Sequence, residues 1–336
     1  MAGLENELDT LAAETGFSGV VRVEGSDGVE FERAWGFAHR GYGIANTVDT
    51  RFATASGTKG LTALAVVSLI EEGRLELATT ARSVLGRDLP LIDDEVTVEQ
   101  LLAHRSGIGD YLDEEEDLDF ADYLLPVPVH ELATTEQYLA VLDEYPTKFP
   151  PGERFAYCNG GYVVLALIAE RVSRMPFHVL VQRRVCERAG MADTEFLRSD
   201  ELPRRTALGY LEVDGTWRTN VFHLPVRGTG DGGIYTTAAD VSRFWTAFFD
   251  GRIVSPEWVR ELTRPRSDTT EGMRCGLGFW LHASTDAVVL DGSDTGVSFH
   301  TVHDPGAGAT RTVISNTTDG AWPLVGYLSE RTESAG

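Results

Sequence analysis

The segment from Arg51 to Gly73, RFATASGTKGLTALAVVSLIEEG, constrains the fold more than any other part of the chain. After Gly60 its side chains are apolar on almost every helical face, which is the pattern of a helix buried inside a sizeable domain. Gly73 stands where a glycine commonly ends a helix. We therefore predict a central helix, starting near Ser56, that other elements cover on all sides.

Ser56 and Lys59 stand at the head of this helix, three residues apart. At this spacing two side chains share one face, with Cβ atoms about 5–6 Å apart. Lys148 is the only other lysine, although Lys and Arg total 29. A buried lysine can lose its proton whereas arginine keeps it, so Lys59 is a candidate base for the Ser56 hydroxyl. The spacing alone is more often a helix-capping serine followed by a surface lysine, so the assignment depends on downstream motifs.

Strand signals lie near both ends of the chain, whereas helix signals fill its middle. Apolar residues at 20–23, alternating ones at 29–31, and several apolar runs within 277–315 are separated by short turn sequences. Short connections of this kind are typical of antiparallel pairing. Capping boxes at 97–100 and 134–137 indicate helix starts in the middle of the chain.

These signals predict an α/β (α+β) fold in which both termini build one antiparallel sheet that helices flank. Residues 1–72 and 241–336 are expected to form this half of the molecule. Residues 73–240 are expected to form an inserted, mainly helical half, with the active site between the two. The acidic segment 113–122 is predicted to be an exposed loop or the margin of a lid.

The composition excludes several classes of partner and cofactor. A formal net charge of -23 argues against binding to nucleic acid or to an anionic membrane. No apolar run reaches membrane-spanning length, and residues 1–17 lack the pattern of a signal peptide. Neither the cysteines nor the histidines have metal-ligand spacing, so we expect no metal and no cofactor. A cytoplasmic protein that acts on a small molecule is therefore expected.

A second motif completes a pattern with Ser56 and Lys59. Tyr157 and Asn159 stand one residue apart in Tyr-Cys-Asn, ahead of another apolar helix. Alone they would be a buried phenol and a helix N-cap. In this order, however, the chain resembles the serine β-lactamase and penicillin-binding protein family, whose signature includes S-x-x-K. Further segments that look like landmarks of that family follow in the expected order: His104-Arg105-Ser106-Gly107, Phe149-Pro150-Pro151-Gly152-Glu153 and Gly232-Gly233-Ile234-Tyr235-Thr236-Thr237.

The resemblance implies a role for each of these residues. Ser56 would be the nucleophile and Lys59 its proton acceptor, because a serine hydroxyl needs an adjacent base to attack. Tyr157 would be the second acid/base and would pass a proton to the leaving group. Asn159 would hydrogen-bond the acyl side chain of the substrate. The backbone N–H of Ser56, at a helix N-terminus, should form half of an oxyanion hole.

The third motif of the family departs from the usual pattern. Members usually carry Lys-Thr-Gly, or histidine in place of the lysine, and the candidate here is Asp294-Thr295-Gly296. An acid in place of the cation weakens recognition of the carboxylate on β-lactams and D-alanyl-D-alanine, unless Arg227 or Arg311 replaces it. An ester, or an amide that bears an amine, is easier to accept.

We therefore expect a serine hydrolase of the esterase type that forms an acyl-enzyme on Ser56. A β-lactamase, a D-alanyl-D-alanine carboxypeptidase or a D-aminopeptidase is the alternative within the family. A catalytically silent member that binds a ligand is the alternative from another class, and the altered third motif motivates it.

The acidic excess and the scarcity of lysine also predict a salt-loving source. The many carboxylates repel one another in dilute buffer, and salt screens that repulsion. We therefore expect a higher melting temperature in molar potassium chloride than in dilute buffer, measured by circular dichroism. Equal melting temperatures in the two solutions would contradict this prediction.

Overall fold

The computed structural model describes residues 2–115, 124–269 and 272–333. Most of the acidic segment 113–122 lies outside these residues. Within the described parts of the chain, no helix is long and apolar enough to cross a membrane.

Strands from both ends of the chain form the main sheet. In chain order the strands are β1 (Gly19–Gly25), β2 (Gly28–Trp35), β3 (Phe37–His39), β4 (Ile44–Ala45), β5 (Phe52–Ala53), β6 (Tyr210–Val213), β7 (Thr216–Thr219), β8 (Tyr235–Thr236), β9 (Ser267–Asp268), β10 (Met273–Cys275), β11 (Trp280–His282), β12 (Val288–Asp294), β13 (Val297–Asp304) and β14 (Ala309–Ser315). Among the described residues, eight of them make one antiparallel sheet in the order β2-β1-β14-β13-β12-β11-β10-β9.

The pairing of β1 with β14 joins the two ends of the chain. Gly19 lies opposite Ser315, and Val20 lies opposite Ile314. Val20 and Ile314 are buried in one hydrophobic cluster, and the next pair, Val21 and Val313, is buried in another, so a shift of one residue would exchange the two clusters. The predicted antiparallel sheet built from both termini is therefore confirmed.

Helices cover the sheet and fill the middle of the chain. They are α1 (Ala2–Thr15), α2 (Thr58–Glu71), α3 (Ala81–Leu85), α4 (Val98–Leu102), α5 (Leu139–Leu142), α6 (Asn159–Ser173), α7 (Phe177–Val181), α8 (Glu187–Ala189), α9 (Ala238–Phe249), α10 (Pro256–Leu262) and α11 (Trp322–Glu333). Both predicted capping boxes form, at 97–100 and 134–137, although the second begins a 3₁₀ turn ahead of α5. The middle also contains the small hairpin of β6 and β7, and the boundaries at 72/73 and 240/241 stay a prediction.

Helix α2 is the central helix that the sequence predicts. It is buried from Thr58 to Leu69 and packs between the sheet and α6. It begins two residues after Ser56, because a 3₁₀ turn over Ala55–Gly57 precedes it. Ala55 opens that turn with a positive φ of 43°, an uncommon conformation for a residue other than glycine.

Strand β12 crosses the start of α2 at very short distance, and a glycine makes this possible. A Cβ atom on Gly292 would lie 2.4 Å from the carbonyl oxygen of Thr54 and 2.6 Å from the backbone nitrogen of Ser56. Both neighbours are backbone atoms, so no side-chain rotation relieves the clash. The contact fixes the distance between the strand and the Ser56 turn.

We expect Gly292→Ala to lower the free energy of unfolding by about 1–3 kcal/mol, the usual cost of overpacking. Gly326→Ala is the control, because Gly326 lies in α11 with nothing within 4 Å of its added Cβ. That change should raise the stability by up to about 1 kcal/mol through helix propensity. Urea unfolding of both variants measures the two effects, and a Gly292→Ala protein as stable as wild type would contradict the close contact.

Candidate active site

Two buried helices bring the predicted site residues together. Ser56 lies in the turn that leads into α2, and Lys59 lies in the first turn of that helix. Asn159 is the first residue of α6, and Tyr157 stands just before it. Because α2 and α6 pack directly on each other, their N-terminal ends meet and the four side chains converge.

Lys59 is at the centre of the resulting hydrogen-bond network. Its side chain is 4% exposed, and its Nζ atom lies 2.9 Å from Ser56 Oγ. The same nitrogen lies 2.8 Å from Asn159 Oδ1 and 2.7 Å from the carbonyl oxygen of Asp231. The predicted proximity of Ser56 and Lys59 is therefore present, with the amine turned into the protein interior.

The partners of Lys59 determine what its neutral amine can do. The carbonyl oxygens of Asn159 and Asp231 only accept hydrogen bonds. A neutral amine has two hydrogens and one lone pair, so these two contacts use both hydrogens. The lone pair is then left for the hydroxyl hydrogen of Ser56, which is the arrangement of a base beside its nucleophile.

The electrostatics of the pocket act on Lys59 in two directions. Burial lowers the pKa of the Lys59 ammonium, because the charged form loses its hydration. The carboxylates of Asp231, Glu114 and Asp110 oppose this shift, in that order of strength. The net result is a lowered pKa, which brings the neutral, basic form of the amine closer to working pH.

Tyr157 stands over the same pair of residues. Its ring stacks on His104, with centroids 4.5 Å apart, and on Trp280, with centroids 5.9 Å apart. Lys59 Nζ lies 4.9 Å from the centroid of the Tyr157 ring, and the Ser56 side chain acts on the pKa of the phenol in the direction opposite to burial. Burial raises the pKa of Tyr157 well above its usual value, so the phenol keeps its proton at neutral pH.

The orientation of Asn159 is set from both sides of its amide. Its Nδ2 atom donates to the carbonyl oxygen of Leu112 and to Glu114 Oε1, each at 3.1 Å. Because both partners are acceptors, the Oδ1 atom is the one that faces Lys59. The Asn159 amide thus links the catalytic lysine to Glu114.

Asp110 and His104 support the site, and sequence reasoning did not predict a role for Asp110. Asp110 accepts hydrogen bonds from the backbone amides of Asn159, at 2.6 Å, and Gly160, at 2.8 Å, which caps α6. Burial raises the pKa of Asp110 to about 6.

His104 Nδ1 accepts a hydrogen bond from the amide of Cys158 at 3.0 Å, and burial lowers the pKa of this histidine well below its ordinary value. A neutral His104 therefore supports the Tyr157 ring.

Two clefts flank Ser56. The larger has a volume of about 820 Å³, counted with its open mouth, and it also contains Asn159 and the acids Glu114, Asp231 and Asp294. The Asp231 carboxylate accepts a hydrogen bond from the hydroxyl of Tyr111. The smaller cleft, of about 300 Å³, is lined by residues that include Lys59, His104, Tyr157, Trp280 and Asp291.

The predicted third motif is only partly at the site. Asp294 ends β12 and lines the larger cleft, but Thr295 and Gly296 form the turn to β13. Gly296 lies against Gly209 and Tyr210, not against Ser56. Gly292 is the glycine that closely approaches the Ser56 turn. The residue two places before it, where the Lys-Thr-Gly motif has its cation, is the buried and uncharged Leu290.

Neither arginine considered as a replacement cation lines the larger cleft. Arg227 Nε donates to the carbonyl oxygen of Phe196 at 3.0 Å, and Arg311 lies on β14 near the carbonyl of Leu328. Among the described residues that line the cleft, none is arginine, lysine or histidine. Nor do the described histidines, cysteines and acids include a group of three or more that could hold a metal ion.

Comparison with known proteins identifies the family. The family described as Beta-lactamase matches residues 4–326. The chain is 27% identical to the putative penicillin-binding protein PbpX of Bacillus subtilis, over 82% of this chain and 65% of that protein, so it spans just under two thirds of that relative. It is 29% identical to the esterase EstB of Burkholderia gladioli, over 89% of this chain and 82% of the esterase.

A solved structure agrees with these sequence matches. The crystal structure of a penicillin-binding protein from Bacillus halodurans superposes with a TM-score of 0.91 and 34% identity, covering 96% of this chain and 99% of the other. The family match and this likeness both extend over nearly the whole chain, well beyond the catalytic motifs. The chain therefore belongs to the beta-lactamase family, and it is a serine hydrolase.

Proposed function

We propose that this protein hydrolyses carboxylic esters through an acyl-enzyme on Ser56. The observation that carries the proposal is the position of Lys59 Nζ, 2.9 Å from Ser56 Oγ, with its two other contacts made to carbonyl oxygens. This arrangement supplies a nucleophile and its base in one buried unit. The esterase EstB, 29% identical to this chain, supports an ester as the substrate.

Acylation uses the residues already described. Ser56 Oγ attacks the ester carbonyl while Lys59 takes the hydroxyl proton, and the bond to the leaving alcohol then breaks. Tyr157 gives its proton to the leaving oxygen and regains one from Lys59. In deacylation, water attacks the acyl carbonyl and gives one proton to the pair of Lys59 and Tyr157. The bond between the acyl carbon and Ser56 Oγ then breaks, and the pair returns the proton to Ser56. The balance is ester plus water to acid plus alcohol.

The oxyanion that forms during these steps needs two donors. Ser56 supplies its own backbone N–H at the start of α2. A two-residue turn follows Asp294, so the two residues that flank it, Asp294 and Val297, exchange backbone hydrogen bonds. Hydrogen-bonded and non-hydrogen-bonded pairs alternate along antiparallel strands, so the backbones of the next pair, Ser293 and Ser298, are not hydrogen-bonded to each other. The N–H of Ser293 therefore points away from β13, and Ser293 lines the same cleft as Ser56. We assign it as the second donor.

The charge in the larger cleft favours esters over β-lactams. Substrates of the β-lactam and D-alanyl peptide type carry a carboxylate, which a cation must balance. The described lining of this cleft contains Glu114, Asp231 and Asp294 and no basic side chain. An anionic substrate would therefore meet repulsion where a neutral or cationic one would not.

Ser56→Ala should reduce the hydrolysis of p-nitrophenyl butyrate to the background rate, because the attacking oxygen is lost. Lys59→Arg keeps the positive charge but not the basicity, so kcat should fall about 100- to 10,000-fold. Lys148→Arg is the matched control, since Lys148 lines neither cleft and arginine can keep its ion pairs with Asp113 and Glu115. Wild-type rates in both site variants would end the proposal and would favour a silent, ligand-binding protein.

Tyr157→Phe tests the acid role separately. A p-nitrophenolate departs readily without a proton, whereas an alkoxide needs one, so the loss in kcat should be greater for an ethyl ester than for the p-nitrophenyl ester of the same acid. Rates come from titration of the released acid. The same fold-loss for both esters would show that Tyr157 acts by position and not by proton transfer.

Hydrolysis of β-lactams or of D-amino acid peptides is the second candidate. The likeness to the penicillin-binding protein of Bacillus halodurans favours it. Intact-mass spectrometry after incubation with esters, a cephalosporin and D-alanyl peptides reports which acyl group remains on Ser56. An adduct with the cephalosporin and none with any ester would reverse the order of the two candidates.

A further inference from the structure

The larger cleft beside Ser56 is lined by three carboxylates and, among the described residues, by no basic side chain; the charge of Lys59, buried behind Ser56, acts on Asp231 and Asp294. Glu114, Asp231 and Asp294 all line it, and within the described chain none of the three forms an ion pair with arginine, lysine or histidine. Elsewhere the chain pairs even exposed acids, such as Asp200 with Arg198. Because the chain has 52 acidic and 29 basic residues, many other acids also have no partner, and what marks this cleft is that three carboxylates converge on it.

Two of the three carboxylates already have a function inside the protein. Asp231 accepts a hydrogen bond from Tyr111, and Glu114 accepts one from the Asn159 amide. Both also act on Lys59, where their charges oppose the effect of burial on its pKa. They are thus committed to the catalytic network.

Asp294 is not committed in this way. The hydrogen bond that its Oδ1 atom accepts comes from the adjacent amide of Thr295, at 2.8 Å. Burial raises the pKa of Asp294 to about 7, assisted by the charges of Asp231 and Glu114 and opposed by the Thr295 amide and the charge of Lys59. A positive group bound in the cleft would relieve this repulsion and stabilise the ionised form.

The position of Asp294 relates it to the acyl part of a substrate. Tyr157, the proposed donor to the leaving group, lines the smaller cleft, whereas Asn159 and Asp294 line the larger one. Ser56 lines both clefts, so an ester that reacts with it places one part on each side. The acyl part then lies beside Asp294.

We propose that the larger cleft selects esters whose acyl part carries an ammonium group, such as amino acid esters, and that Asp294 is the specificity-determining residue that binds this group. A charge-assisted hydrogen bond to a carboxylate that no other cation occupies gives both affinity and orientation. This inference rests on the proposed function, since it names the substrate class for the same site.

The test compares substrates that differ only in this group. The p-nitrophenyl esters of D-alanine and L-alanine are set against that of isobutyric acid, in which a methyl group replaces the ammonium. Each kcat/KM is divided by the spontaneous hydrolysis rate of the same ester, because an ammonium activates the carbonyl by itself. At least one alanine ester should exceed the isobutyrate by about 10- to 100-fold.

Asp294→Asn keeps the shape of the side chain and the acceptor for the Thr295 amide, so the fold should persist, which a thermal melt checks. It should lower the ratio of alanine ester to isobutyrate by about tenfold or more. Asp200→Asn is the matched control, because it removes an exposed charge outside the cleft, and it should leave the ratio unchanged. Equal ratios in wild type and Asp294→Asn would overturn the inference.

A binding measurement separates this inference from the proposed function. Binding of D- and L-alaninamide to Ser56→Ala is measured by calorimetry, with isobutyramide as the neutral control. Turnover of all esters without preference would leave the esterase proposal standing and reject the ammonium site. No turnover of any ester, with alaninamide binding that Asp294→Asn abolishes, would reject the esterase and support the ammonium site. Neither turnover nor binding would reject both.

Discussion

The buried contact between Lys59 and Ser56 is the interaction on which the rest of this structure depends. Taking an amine out of water is costly, and the protein offsets the cost with carbonyl partners on Asn159 and Asp231 and with carboxylates nearby. Those partners come from α6 and from the segment before β8, so the site exists only when both are in place. The same burial that costs stability makes the amine a base.

The packing around α2 serves this contact. Gly292 lets β12 pass against the turn that holds Ser56, and Asp110 caps the helix that carries Asn159. His104 and Trp280 both stack on the Tyr157 ring. Each of these supporting groups acts through a neighbour, which keeps the reacting atoms within hydrogen-bond distance while the cleft stays open.

The charge of the larger cleft comes from acidic side chains. A buried leucine, Leu290, stands two places before the strand glycine that approaches Ser56, and the described cleft is lined by acids without a basic residue. Negative charge there lowers the affinity for carboxylate-bearing substrates and raises it for ammonium groups. In the proposals made above, the reaction and the substrate preference would depend on different residues of one small region.

The sequence by itself determined the local and periodic features. Helix α2, the capping boxes, the antiparallel strands at both ends and the pair Ser56–Lys59 depend on spacing along the chain, and spacing is visible in the sequence. Tertiary structure alone decided which residues from distant segments meet. Asp231, Asp110 and Glu114 gave no local signal, because their roles come from backbone carbonyls, helix ends and burial that only folding creates. The same holds for Gly292: only the crossing of β12 over the Ser56 turn shows that this glycine must lack a side chain.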